Sequence, residues 1–249
     1  MKVFSKIYRY WIFCGCIYCT ASMPKIDSMK GSKEGIKDAF EYEANLAEKQ
    51  FTESLPVYKW TSNRVPFVIS KEMSPNMTST ILEAINTWNK DFGNCIKWIP
   101  RRLERDYVYF TNGSFCHSEV GRVKYKQLIV LNEENCMGRG FILHEMMHAV
   151  GFTHEHNRAD RDKYIEILFL NIPYEWRNQY KKESLDAMME LGPYDYYSVM
   201  HYEVQSPDRN KPAFRVIPKT IDVSKIGQRD VLSEMDKLKV KRLYCPSKL

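Results

Sequence analysis

The stretch His144-Glu-Met-Met-His-Ala-Val-Gly-Phe-Thr-His154 places three histidines at intervals of four and six residues in a largely apolar surround. On a helix, residues four apart stand one turn above each other on the same face, so His144 and His148 can reach one ion. Gly151 admits a positive φ, which ends the helix and lets His154 approach that ion from another direction. Three imidazoles leave zinc a fourth position for water, the open coordination of a catalytic site, whereas a structural site fills that position with protein. Glu145 lies beside the first ligand and three residues before the second, so its carboxylate hangs next to the metal without ligating it, placed as a general base. The bland alternative is a chance pairing of two histidines and a glutamate on a helix. Six histidines in 249 residues put one at any given offset about once in forty positions, so the third histidine weighs against chance.

Outward from this stretch, a composition 44% hydrophobic and 13% aromatic supports one sizeable core, hence one catalytic domain. The net charge of +6 is interleaved with acidic residues along the chain, so no nucleic-acid partner is expected. Val65–Ile69 reads as a strand, and Ile81, Ile85, Trp88 and Phe92 recur at helical spacing after Ser74 and Asn76. Tyr107–Phe110 and Leu128–Leu131 read as strands flanking a loop at Asn112, Gly113 and Ser114, and a helix begins near Gly140. Beyond Gly151 the chain is mainly irregular, with helices expected over Leu185–Leu191 and Val231–Leu243. This order predicts an α+β protein of two lobes: an N-terminal lobe of mixed β-sheet carrying the histidine helix, and an irregular C-terminal lobe with a final helix.

Lys2, Lys6 and Arg9 precede an apolar run from Trp11 to Tyr18 and then small residues at Thr20, Ala21 and Ser22, so residues 1–21 read as a signal peptide. The run is shorter than the ~20 residues a membrane span needs, so a secreted protein without a membrane anchor is expected. The charged stretch 22–50 reads as a pro-segment and 51–249 as the catalytic domain; with four residues after Cys245, no accessory module is expected. Cys14, Cys16 and Cys19 fall in the leader, leaving Cys95, Cys116, Cys136 and Cys245 for two disulfides in any of three connectivities. Asn76-Met-Thr and Asn112-Gly-Ser are sequons, so Asn76 and Asn112 are candidate glycosylation sites. The terminal Ser247-Lys-Leu249 resembles a peroxisomal address, which an exported chain would not present to its receptor.

From His144 to Tyr164 the sequence H-E-M-M-H-A-V-G-F-T-H-E-H-N-R-A-D-R-D-K-Y resembles the astacin signature, including Glu155, Arg158, Asp160, Arg161, Asp162 and Tyr164. Ser198-Val-Met-His-Tyr202 is similar to that family's methionine turn, Ile226-Gly-Gln-Arg-Asp230 to the stretch before its last helix, and the likeness runs from about Trp60 to Cys245. The resemblance implies a two-lobed, metzincin-like, zinc-dependent endopeptidase, secreted as a zymogen, monomeric, acting on protein or peptide substrates after an activating protease has cut it. His144, His148 and His154 would hold one zinc ion, Glu145 would be catalytic, Met200 would floor the metal, and Tyr202 would donate a hydrogen bond to the oxyanion. Cys95 would pair with Cys245, and Cys116 with Cys136. Cys116-His-Ser-Glu-Val-Gly121 would carry the edge along which substrate pairs, so Glu119 either disfavours acidic substrate residues or is a solvated charge.

The family's pro-segment aspartate, in a motif beginning Phe-x-Gly-Asp, has its nearest match in Phe40-Glu-Tyr-Glu43, so Glu43 is the candidate zymogen ligand. The resemblance also implies that a freed amino terminus near Gln50 or Phe51, made by a cut after Lys49 or Gln50, reaches Glu155. A buried carboxylate needs some cation or donor, and a salt bridge to Arg158 or Arg161 is the alternative. His117, His156 and His201 are assigned no chemistry. Two rivals are a secreted binding protein that keeps the fold and a zinc amidase or esterase; Glu145 and Tyr202 beside all three ligands argue against the first, and the length of the match against the second.

Overall fold

A serine followed by a proline begins the first helix. In the computed structural model, which describes residues 59–183 and 191–246, α1 spans Pro75–Phe92, and the Ser74 side chain accepts the Met77 N–H as N-cap. Pro75 sits in the first turn, where its missing N–H leaves no bond unmade. The face Met77, Ile81, Ala84, Ile85, Trp88 and Phe92 is buried, as the helical spacing predicted. It packs on a sheet through aromatic edges: Trp88 and Trp98 ring centroids lie 6.4 Å apart, and Trp98 and Phe110 5.8 Å.

The sheet has five strands, β1 (Arg64–Ile69), β2 (Lys97–Pro100), β3 (Tyr107–Asn112), β4 (His117–Ser118) and β5 (Lys126–Leu131), in the order β2-β1-β3-β5-β4. Four run parallel, while β4 pairs antiparallel with β5, Ser118 opposite Ile129, and forms the edge. The sheet is thus mixed, as expected. Strands β2 and β4 were not legible, because four and two residues are too short to display a period of two.

Helix α2 (Arg139–Ala149) lies against α1 and the sheet, and its residues Ile142 to Ala149 are all buried. A separate apolar cluster gathers Ile165, Ile172, Tyr180, Tyr194, Tyr196, Tyr202, Ala213, Phe214 and Ile226, so two cores stand behind the two lobes. This second lobe is less irregular than its sequence suggested: β6 (Ile165–Ile167) and β7 (Phe214–Val216) pair antiparallel. The last helix, α3 (Glu234–Tyr244), is capped reciprocally by Ser233 and Asp236 and buries Val240 and Tyr244 in the first core rather than the second. Disulfides join Cys95 to Cys245 across 150 residues and Cys116 to Cys136 across 20.

The expected signal peptide, the pro-segment with Glu43, the cut near Lys49 and all but the last residue of the helix over 185–191 lie outside the described residues. No described helix is long and apolar enough to cross a membrane.

Gly140 shows how closely α2 is seated. A Cβ there would lie 1.8 Å from the Arg229 carbonyl oxygen. Helix propensity favours alanine over glycine by about 1 kcal/mol. The clash is with backbone and outweighs it, so Gly140→Ala is expected to lower the melting temperature, by roughly 1–3 kcal/mol of stability or more. A higher melting temperature would show that the Arg229 segment yields.

Candidate active site

His144 and His148 project from α2 one turn apart, their ring centroids 4.7 Å from each other. The helix stops where Gly151 adopts φ 112°, with the Gly151 N–H donating to His148 O at 2.8 Å and the Phe152 N–H to Met147 O at 3.0 Å. This reversal carries His154 back to within 4.7 Å of His148 and 5.3 Å of His144, centroid to centroid. Nε2 of His148 lies 3.2 Å from Nε2 of each of the other two. Among the described residues they form a group of buried side chains able to share one ion.

The donor chemistry fits zinc. Nδ1 of His144 lies 2.7 Å from the Val199 carbonyl and Nδ1 of His148 2.7 Å from the Phe152 carbonyl. A carbonyl only accepts, so each ring carries its proton on Nδ1 and turns the Nε2 lone pair inward. Burial keeps these rings neutral: it pushes His148 down to about 4 and His144 and His154 well below the usual imidazole range, with the Arg229 charge adding to the effect. Converging nitrogen lone pairs repel one another unless a cation stands between them, and an all-imidazole set suits zinc.

Behind His144 stands the turn Ser198–Met200. The Ser198 hydroxyl donates to Asp236 Oδ1 at 2.6 Å, and the Val199 N–H donates to Asp236 Oδ2 at 2.9 Å. Asp236 thus caps α3 and also fixes the peptide whose carbonyl orients His144. The cap is a local contact within four residues, whereas this second duty joins residues 37 apart, which no local pattern displays. Asp236→Ala would leave buried donors unmatched and is expected to cost on the order of 3 kcal/mol in denaturant unfolding; a change below about 1 kcal/mol would show that water replaces the carboxylate.

Glu155 follows His154 and is buried, its N–H donating to the Met200 carbonyl at 3.1 Å. Its carboxylate accepts from Arg158 Nη1 at 3.2 Å, the Asp195 N–H at 2.9 Å and Lys239 Nζ at 2.7 and 2.8 Å. Burial raises this carboxyl above the usual range, against the pull of Lys239 and Arg158. Of the two arginines considered from sequence, Arg158 reaches it; Arg161 bonds instead to Asp162 and the His156 carbonyl. Lys239 was not foreseen. The amino-terminal residues expected to meet Glu155 lie outside the described residues.

The Tyr202 ring lies 4.5 Å from His154 and stacks on His156 at 4.0 Å and 30°. His156 is held through Nε2 by the Gln179 carbonyl, and His201 sits between the Tyr194 hydroxyl and the Tyr202 carbonyl, each at 2.7 Å. Two histidines without assigned chemistry therefore frame this tyrosine. The third, His117, lies in β4 against the Phe115 ring, the two rings tilted by 34° with centroids 4.9 Å apart. Glu145, between His144 and His148 on the helix, is fully buried, Met200 is buried in its turn, and Asn76 and Asn112 are exposed. Half-buried Glu119 follows β4, and the Gly121 N–H donates to His148 O at 2.8 Å, tying that edge to α2.

Residues 52–245 match the family model for Astacin, a peptidase family. The chain is 40% identical over 193 residues to zinc metalloproteinase nas-13 of Caenorhabditis elegans, covering 76% of this chain and 42% of the relative. It is 37% identical over 182 residues to the astacin-like metalloendopeptidase of Gallus gallus, covering 73% and 44%. It thus spans less than half the length of these curated relatives. Among solved structures, high choriolytic enzyme 1, a hatching enzyme zinc-protease from Oryzias latipes, superimposes with a TM-score of 0.68 at 33% identity, covering 76% of this chain and 93% of that one. A mixed sheet, a histidine helix closed by Gly151 and a family match across more than three quarters of the sequence lead to one conclusion: this chain belongs to the astacin family.

Proposed function

We propose that the protein is a zinc-dependent endopeptidase that cleaves internal peptide bonds of proteins or peptides. The observation that carries this reading is the convergence of the three Nε2 atoms of His144, His148 and His154, with Glu145 on the same helix and the Tyr202 ring against His154. One zinc ion held by the three histidines would supply a Lewis acid that makes water nucleophilic near neutral pH. Glu145 acts as general base, taking a proton from the attacking water and passing it to the leaving amine. Tyr202 donates its phenolic hydrogen to the oxygen on which charge develops. Strand β4, at the sheet edge beside the helix, offers the backbone groups along which an extended substrate pairs, with Glu119 at its end disfavouring acidic side chains.

The leader at residues 1–21 directs secretion, and the protein acts outside the cell as a monomer with Asn76 and Asn112 glycosylated. The segment 22–50 keeps it a zymogen, with Glu43 covering the metal, until an activating protease cuts after Lys49 or Gln50. Cutting the full chain with trypsin, removing the trypsin, incubating the product with a diverse peptide library and reading the cleavages by mass spectrometry tests the reading. Internal cleavage that stops when a chelator removes the metal and returns with added zinc is expected, together with an active species whose amino terminus is Gln50 or Phe51. Cleavage that survives chelation would refute the metal mechanism, and trimming from the chain ends alone would refute the endopeptidase.

A further inference from the structure

Lysine is rarely buried completely, and only with a partner. Lys239 is 1% exposed, and its Nζ closes on both oxygens of Glu155, which is also 1% exposed and lies 84 residues away. Such a pair is weak grounds for stability, because an apolar pair of similar volume often serves as well. Its specific content is what Glu155 is joined to. One residue back is the ligand His154; the Glu155 N–H holds the Met200 carbonyl; and Oε1 takes the Asp195 N–H at the entrance to the turn whose Val199 carbonyl orients His144. On α3, Lys239 stands three residues after Asp236 and so shares its face. One helix face therefore meets the metal ligands twice, through Asp236 behind His144 and through Lys239 behind His154.

We propose that Lys239 is a positioning residue of the metal centre: its ammonium locks Glu155, and with it the backbone of His154 and Met200, so that the three Nε2 atoms keep a common focus. The inference rests on reading the histidines as zinc ligands. It makes the Lys239–Glu155 contact, and not the histidine segment alone, a condition for tight metal binding. Partners of metal ligands typically change affinity or activity by about 10–100-fold when removed.

The test uses the activated full chain in four forms: wild type, Lys239→Met, the neutral double variant Lys239→Met/Glu155→Gln, and Val240→Ala, which loosens the same helix in the apolar core. Zinc release is followed against rising chelator, melting is followed with and without zinc, and kcat and KM are measured on one peptide. Lys239→Met is expected to shift the chelator midpoint and kcat down by about 10–100-fold, with KM within roughly threefold of wild type. Val240→Ala should melt lower yet keep the wild-type midpoint. The double variant should recover melting temperature without recovering the midpoint, separating the cost of an unpaired charge from the loss of alignment. Wild-type midpoint and kcat in Lys239→Met, or in the double variant should the single one not fold, would overturn the proposal. A wild type that binds no zinc would sink the metal reading and this inference together, whereas a zinc-binding wild type matched by its variants would sink the inference alone.

Discussion

Glu145→Gln is expected to retain zinc and to lose kcat by about 10²–10⁴-fold, the usual contribution of a positioned acid–base group. The amide has nearly the carboxylate's shape, which matters at a position with no exposed surface inside a helix buried on all sides. The ligand nitrogens keep their orientation, because His144 and His148 are aimed by the Val199 and Phe152 carbonyls and not by Glu145. Only the group proposed to take the water's proton disappears. The base works in the transition state, so kcat and kcat/KM should fall together while KM holds. Metal content, melting temperature and single-peptide kinetics separate the possibilities: a zinc-loaded, stable variant within tenfold of wild-type kcat would remove Glu145 from the mechanism.

Tyr202→Phe is the second large effect, expected to lower kcat by about 10²–10³-fold, as for removal of one oxyanion donor. The phenylalanine ring keeps the 4.0 Å stack on His156 and the edge contact with Tyr180 at 5.7 Å, so folding should be close to normal. Zinc affinity should change little, since the three ligands are untouched. An unchanged kcat would make Tyr202 one more packed aromatic in a core already rich in tyrosine.

The fold and site were unequally legible. Helix α1 was readable because its apolar face repeats over five turns and begins at a serine before a proline. Strands β2, β4, β6 and β7 were not, because each is four residues or fewer and is defined by its neighbours across the sheet.

By itself, the sequence set out the candidate metal site: four-residue spacing sets two imidazoles on one helical face, Gly151 permits the reversal that returns the third, and Glu145 lies between the first two. These are local consequences of helix pitch and backbone freedom. Only the tertiary structure decided what holds that group in place. The Val199 carbonyl reaches His144 across 55 residues, Asp236 holds Val199 across 37, and Lys239 closes on Glu155 across 84. No periodicity encodes such pairs, because a buried charge or polar group takes its partner from whatever element packs against it, and that choice is made by the folded chain as a whole.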